Sequence, residues 1–543
     1  MGWGDRIDNF VGVFSPERGA RRRLARGLGT HVDEVVKQHR DRMAAFDYRA
    51  GQSHRGNNDW GSVGNSPDTD VLGDLEALRA RSRDLVQNSG RADGATLTLC
   101  SSVIGTGIVP RPRIDHEAVG VSEDDARAIE RKLFTWWKVW SQSADASDRL
   151  NFYSLQYQAY WNKRVNGEFL YLPQLRRRVG RRFELMLQGV ESDRLDTPPD
   201  MFDAGNVHGG VEVDGWDAPL AYWIREGHPG DGLFTDRDAT KFRRVKARDG
   251  FGRRRVLHGF DMRRCGQSRG VPAMSSVLDE FHDLDEYREA ERYAVRLAAC
   301  IGLVINEHPA GATSTSPGIT TLGGQQVEGF EPGMILRGQD LDVHQINPQR
   351  PGSNFEAFIK DIDQTLGMSQ GLTWELFTKV FSEANYSSLR AAYIEARRYF
   401  RVEQQDFIHA FCDPVYEWFL DEVYLRGLVE LPGFMQRREF WRGVQWVPMG
   451  WDWVDPLKEV QASLMALDGN LTTLDAEVSA RGGGDYRDVL MQRGAERAME
   501  RDQGVAPMMP VRGRPPKDQD VDQDVEQDVD PGSDQSGASS GDA

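Results

Sequence analysis

Apolar positions recur at three- and four-residue spacing over much of the chain and predict helices over 31–43, 68–88, 93–104, 122–142 and 152–166. The period then changes. Glu168–Leu172, Phe183–Leu187, Val211–Val213, Leu220–Ile224 and Val256–Phe260 read as short strands separated by Gly/Asp turns, with Asp214-Gly215 a hairpin signal. Residues 165–262 are therefore β-rich, with helices before and after, an α+β pattern rather than alternating βαβ.

A long helix follows over 273–301, its apolar stripe (Val277, Phe281, Leu284, Tyr287, Leu297, Ile301) narrow between charged faces, as suits a helix packed in an array. Residues 302–352 turn to Gly, Thr, Ser and Pro, with β-prone pieces at Leu303–Ile305 and Val343–Ile346. Helix returns at 353–366, breaks over 367–386, and runs from 387 to 426, where Gly427 stops it. Shorter helices are predicted at 456–467, 473–480 and 485–501. Ser122 with Asp125, and Thr472 with Asp475, read as N-terminal caps, and Ser387 or Asn385 as the cap of the 387–426 helix. Beyond about 504 the alternating run Asp518-Gln519-Asp520-Val521-Asp522 cannot bury a core and predicts disorder.

Length and charge narrow the classes. A chain of 543 residues has room for roughly three to four domains. No apolar run is long enough to predict a membrane span, and the start lacks a basic segment followed by an apolar core, so no secretory signal is expected. Cys100, Cys265, Cys300 and Cys412 are scattered, which argues against a disulfide scaffold or zinc ribbon and for reduced, mostly buried thiols. The net charge is −17, but nine acids and no cation lie from Asp518 onward, leaving −8 on residues 1–517. That balance excludes a strongly basic nucleic-acid gripper, though not a protein past which nucleic acid slides. An Arg-rich patch (Arg18, Arg21, Arg22, Arg23, Arg26) lies near the start.

Catalytic signatures are missing. The sequence has no G-x-x-x-x-G-K-[ST], H-E-x-x-H or G-x-S-x-G, and Gly105-Thr106-Gly107 is no dinucleotide fingerprint. His208, His258 and His282 each lack a second ligand at metal spacing and read as structural. Neither catalytic residues, nor a metal, nor a cofactor is expected, and the chain is read as no enzyme.

Several blocks, in order over most of 45–500, carry a resemblance. They include Arg79-Ala80-Arg81-Ser82-Arg83; Asn166-Gly167-Glu168-Phe169; Glu191-Ser192-Asp193-Arg194-Leu195; Val207-His208-Gly209-Gly210; and Val256-Leu257-His258. The more specific ones are Gly266-Gln267-Ser268-Arg269-Gly270, Asn385-Tyr386-Ser387-Ser388-Leu389-Arg390 and Asp455-Pro456-Leu457-Lys458-Glu459. Together they resemble the lambda-type family of tailed-phage portal proteins. Trp374–Phe381 departs a little from that family's usual Gly/Asp-containing form.

The resemblance implies an α+β, portal-like subunit. Its expected parts are an N-terminal arm (1–66), an α/β wing (67–272), a helical stem (273–301 and 353–366) and a β-containing clip (302–352). A channel loop (367–386), a long wing helix with its following segment (387–454), a small helical crown (455–503) and a disordered acidic tail (504–543) complete it. It implies a homo-dodecameric ring at one capsid vertex, a channel for double-stranded DNA during packaging and ejection. The terminase large subunit docks first, head-completion or connector proteins later, and scaffold or major capsid protein contacts the opposite flank. The expected location is the virion's portal vertex, after the host cytoplasm, with no membrane partner.

Against that picture Gln370, Lys379, Ser382, Glu383 and Asn385 are expected at the DNA-channel loop, making weak, non-specific and transient contact. Arg390 and Arg397, a heptad apart, are candidates for inter-subunit pairs. Arg512-Gly513-Arg514-Pro515 resembles a minor-groove-binding core, so Arg512 and Arg514 are candidate contacts beside the plainer reading of a basic spacer. The alternatives are another phage head protein, an adaptor or minor capsid protein, and a DNA-processing nuclease.

Overall fold

The computed structural model of this chain describes residues 64–231, 238–306, 334–338, 355–382, 385–451, 456–480 and 486–504. Two compact units divide it, Met1–Asp70 and Val71–Ala543. The Arg-rich start, most of 302–352, Glu383 and the acidic tail with Arg512 and Arg514 lie outside the described residues. In the first unit, Pro67 opens helix α1 (Pro67–Leu72), and Ser66 Oγ accepts from Thr69 N at 3.2 Å.

The helices that follow are α2 (Leu75–Asn88), α3 (Gly90–Val103), α4 (His116–Val119), α5 (Glu123–Ser141) and α6 (Phe152–Asn166). Then come α7 (Leu278–Cys300), α8 (Phe355–Ser369), α9 (Trp374–Thr378), α10 (Tyr386–Phe407), α11 (Asp413–Leu425) and α12 (Arg438–Trp441). The last are α13 (Pro456–Asp468), α14 (Leu474–Ala480) and α15 (Tyr486–Asp502). The strands are β1 (Val109–Pro112), β2 (Glu168–Leu175), β3 (Leu185–Val190), β4 (Val207–His208), β5 (Val211–Val213) and β6 (Pro219–Arg225). They continue with β7 (Phe242–Lys246), β8 (Leu257–Phe260), β9 (Ile301–Asn306), β10 (Met334–Gly338) and β11 (Val444–Val447). The mixture is α+β, as the pattern predicted.

Strand β2 is buried on both faces, and its two-residue period sorts its side chains between two cores. Phe169 and Tyr171 face a helical core; Leu170 and Leu172 face a smaller one shared with Val211, Val213, Tyr222 and Ile224 of β5 and β6. The antiparallel sheet β3-β2-β8 thus lies between the helices and the antiparallel sheet β4-β5-β6-β7. Trp137 centres the helical core, its ring 4.8 Å from Trp140, 5.0 Å from Phe152 and 5.0 Å from Phe419. Two further pairs stand apart: antiparallel β1–β11 and parallel β9–β10.

Where structure and pattern differ, local chemistry explains it. The 68–88 helix breaks at Gly73-Asp74 into α1 and α2. The 273–301 helix starts instead at Leu278: the residues before it form two tight turns, Ser275 N donating to Pro272 O (3.0 Å) and Val277 N to Met274 O (2.9 Å), while Ala273 N donates to Arg164 O (2.9 Å) of α6. The 387–426 helix is interrupted by a π turn at Ile408–Cys412. Pro414, early in α11, has no N–H to return to a preceding carbonyl, and the wider turn accommodates the missing bond. Thr473, not Thr472, caps α14, accepting from Ala476 N at 3.2 Å. Ser122 caps α5 as expected, accepting from Asp125 N at 3.1 Å, and Asn385, rather than Ser387, caps α10, accepting from Ser388 N at 2.8 Å. Strands β1, β7, β10 and β11 lie outside the predicted ones; β1 carries two prolines and β7 three cations in five residues, which mask a strand pattern.

Two glycines meet backbone to backbone. Gly167 ends α6 at φ +87°, and a Cβ on it would sit 2.5 Å from Val271 C. A Cβ on Gly270 would sit 2.1 Å from Gly167 O. Gly270→Ala is expected to destabilise the fold by about 3 kcal/mol or more, seen as a lower midpoint in urea unfolding, while Gly94→Ala, inside α3 with open space at its Cβ, is expected to raise the midpoint slightly.

Candidate functional site

Six of the blocks that carry the resemblance converge on one buried carboxylate. Glu168, the first residue of β2, is fully buried. Arg269, 2% exposed, donates from Nη2 to Glu168 Oε1 (2.5 Å) and to Ser192 O (2.9 Å), and from Nη1 to Leu195 O (2.6 Å) and to Gly209 O. Arg79 of α2 donates to Glu168 Oε1 (2.6 Å) and to Asn166 O (3.0 Å). His258 Nε2 lies 3.0 Å from Glu168 Oε2, and Gly270 N donates to the same oxygen at 3.0 Å. One side chain therefore joins α2, β2, β8 and the Gln267–Gly270 segment, while Arg269 reaches the 192–195 and 209 turns.

A rim continues outward. Arg83 pairs with Asp193 and Glu191 (3.0 Å) and donates to Asn166 Oδ1 (2.7 Å). Burial alone would raise Glu168's pKa, but Arg269, Arg79 and His258 hold it well below the usual glutamate value. Burial likewise opposes ionisation of Asp193, and Arg83 and Arg79 overcome it, lowering its pKa. Burial is the main cause that lowers Arg79's pKa, with Glu168 pulling the other way.

A second buried network clamps α6 to α10. Lys163 Nζ lies 2.7 Å from Asp261 and 3.3 Å from Glu403; Arg164 donates to Tyr399 Oη (3.1 Å) and Gln370 Oε1 (2.9 Å). Burial opposes charge on Glu403, yet Lys163 and Arg164 lower its pKa. A cavity of about 670 Å³ borders this network at Lys163, Tyr399, Glu403 and His409.

Gln370 corrects an expectation. It is fully buried, held by Arg164, and its side chain faces the core rather than a channel. It anchors one end of the loop, and the Asn385 cap anchors the other. Between them Lys379 (φ +59°), Val380, Phe381 and Ser382 are exposed, and so is Asn385. Glu383 lies outside the described residues. Arg390 is half-buried on α10. Arg397 lies over Tyr393 (5.8 Å) and Trp451 (5.9 Å) of its own chain, and Arg401 shares Trp451 (5.8 Å). Two more of the quoted blocks meet where Lys458 lies 6.0 Å from the Tyr386 ring.

The thiols of Cys100 and Cys412 are buried and Cys265 is exposed. Burial pushes Cys100 up to about 12 and Cys412 well above the usual thiol value, so neither is a ready nucleophile. His282 departs from its expected isolation: Asp283 and Glu286 bring ligand atoms within 4.8 Å on the exposed face of α7. His282 Nδ1 and Glu286 Oε1 are 3.8 Å apart, a solvated i,i+4 pair. No described helix is long and apolar enough to cross a membrane.

These features define an α+β protein framed around one buried ion cluster. The family model for phage portal proteins of the lambda family matches residues 53–404. The chain belongs to that family. It is 27% identical over 458 residues to the probable portal protein of Halomonas phage phiHAP-1, covering 82% of this chain and 85% of that one. It is 23% identical over 484 residues to portal protein B of Escherichia phage lambda (82% and 88% covered), and 23% over 486 residues to the portal protein of Escherichia phage N15 (82% and 89%).

Glu168→Gln leaves Arg269 buried without its counter-charge and Arg79 with only Asp193 at 3.6 Å, and is expected to cost about 3–5 kcal/mol, read by urea unfolding at neutral pH. The lowered pKa sets the sign with pH. Glu168's contribution is complete above the ordinary glutamate value of 4.5 and is lost as pH falls below it toward the depressed folded value. The gap between wild type and Glu168→Gln should therefore narrow as unfolding is measured at progressively lower pH below 4.5.

Proposed function

We propose that this chain builds the portal ring at one capsid vertex, a dodecamer in the virion, whose channel carries double-stranded DNA in packaging and ejection. The observation that carries this reading is a set of helix faces left uncovered in the single subunit. Among the described side chains of α7 burial is confined to a stripe through Leu278, Phe281, Leu284 and Glu291, while Tyr293 and Val295 are exposed. Tyr287 packs on Phe355 (5.7 Å) and Phe358 (5.6 Å) of α8, yet Phe358 and Met368 stay open to solvent. Helices α13, α14 and α15 bury no residue, and Leu464, Met465, Leu490 and Met491 are exposed. Neighbouring copies in a ring would cover such faces.

In this reading residues 67–272 and 387–454 form the wing, α7 and α8 the stem, β9 and β10 the start of the clip, and α13–α15 the crown. Residues 1–66 are an arm and 504–543 a tail. The exposed stretch with Lys379, Ser382 and Asn385 faces DNA. One cation per subunit releases few counterions, so contact is weak and transient. Arg390 reaches an adjacent subunit, with Arg397 already stacked in its own chain. The ring receives the terminase large subunit and later head-completion proteins, with scaffold or major capsid protein on the other flank. The chain supplies no catalysis, and a separate ATPase drives packaging.

Electron microscopy of the purified chain tests this. A ring with an axial hole wide enough for duplex DNA is expected; a compact monomer or dimer, even with scaffold protein added, would sink the reading. Leu464→Asp with Met465→Asp should dissolve the ring, while the unfolding midpoint of the subunit moves by no more than about 0.5 kcal/mol equivalent.

A further inference from the structure

The hairpin from β7 toward β8 is strongly cationic within an acidic chain. Residues 241–264 hold ten Lys or Arg and two acids, against a net charge of −17 for the whole. Strand β7 is the edge of its sheet. Its two-residue period puts Val245 and Ala247 against the core and Arg244, Lys246 and Arg248 on the outer face. Arg248 forms an antiparallel bridge with Arg254, so two like charges stand opposite each other, an arrangement that is unfavourable without an anion. Glu212 neutralises Arg244 (2.8 Å) and Asp249 neutralises Arg253 (2.7 Å). Arg243, Lys246, Arg254 and Arg255 are exposed, and among the described residues no carboxylate lies in ion-pair range of them. One or two charges suffice to protect a sheet edge from stray pairing; this row goes further.

We propose that the chain's own segment Asp518–Asp530 docks on this face. Asp518, Asp520, Asp522, Asp524, Glu526, Asp528 and Asp530 occupy every second position. Extended, the segment presents its carboxylates on one side at about 6.6–6.8 Å spacing, the same repeat as Arg244, Lys246 and Arg248. Residues 505–517, after the last described residue, provide a tether with a reach of up to about 45 Å. Tethering raises the local concentration of the acidic segment far above that of a free competitor. Duplex DNA shares the anionic chemistry but has neither the tether nor the matching repeat.

Carbodiimide cross-linking of the full-length chain, which joins carboxylates to Lys Nζ, tests the docking. Tail acids are expected to link mainly to Lys241 and Lys246, with the yield falling as salt rises. Arg244→Gln/Arg248→Gln/Arg254→Gln, all on the proposed face, leaves both lysines in place and should cut that yield about tenfold. Links spread evenly over other lysines, or a yield unmoved by the triple substitution, overturn the proposal. Fluorescence anisotropy with a short DNA duplex adds an independent arm. Asp518→Asn/Asp520→Asn/Asp522→Asn/Asp524→Asn should tighten duplex binding about tenfold, and the arginine triple should abolish the gain. Equal binding with and without the tail acids overturns the proposal and makes the hairpin a nucleic-acid surface.

Discussion

The ionised Glu168 carboxylate, with no access to water, is the constraint around which the rest is arranged. Such a charge is tolerated only when its oxygens are fully engaged. Here Arg79, Arg269, His258 and the Gly270 amide engage them, from three different stretches of chain. Arg269 has donors to spare and uses them on the carbonyls of Ser192, Leu195 and Gly209. Removing any one partner exposes the others to an uncompensated burial, so the residues act as a unit. The close approach of Gly167 and Gly270 belongs to the same device, since a side chain at either would separate the backbones that present Glu168 and Arg269.

From that frame the functional parts follow in order. The Glu168 hub sets β2, whose alternate residues divide the two cores. Helix α6, leading into β2, carries Lys163 and Arg164, and these clamp Glu403 of α10 and Gln370 after α8. The segment between Gln370 and Asn385 is thus held at both ends and by buried Leu372 and Phe377, and is exposed over Lys379–Ser382. The helix faces that no described residue covers lie away from this frame, on α7, α8 and α13–α15.

Net charge concealed a local feature. The balance of −8 over residues 1–517 excluded a basic gripper for the whole body, but the hairpin of 241–264 holds ten cations beside two acids. The run Arg253-Arg254-Arg255 was visible in the sequence. Only the sheet showed that Arg248 stands across from Arg254 and that Arg244 and Lys246 share a face with them.

By itself the sequence determined the α+β class, helix α6 at residues 152–166, the helical cap at Ser122 and the family, because these rest on short-range periodicity, cap chemistry and ordered motifs. It also marked Glu168, Arg269, His258 and Arg79 as parts of shared blocks without saying what they do. Tertiary structure alone decided that these blocks are one buried ion cluster, since partners 89 and 101 residues apart leave no local trace. It decided as well that Gln370 faces the core, because a polar side chain in a Gly/Ser/Thr stretch reads as solvent-exposed until Arg164 is found opposite it. The π turn at Ile408–Cys412 and the start of α7 at Leu278 belong to the same group: each depends on a backbone group finding, or lacking, a partner that the linear pattern does not show.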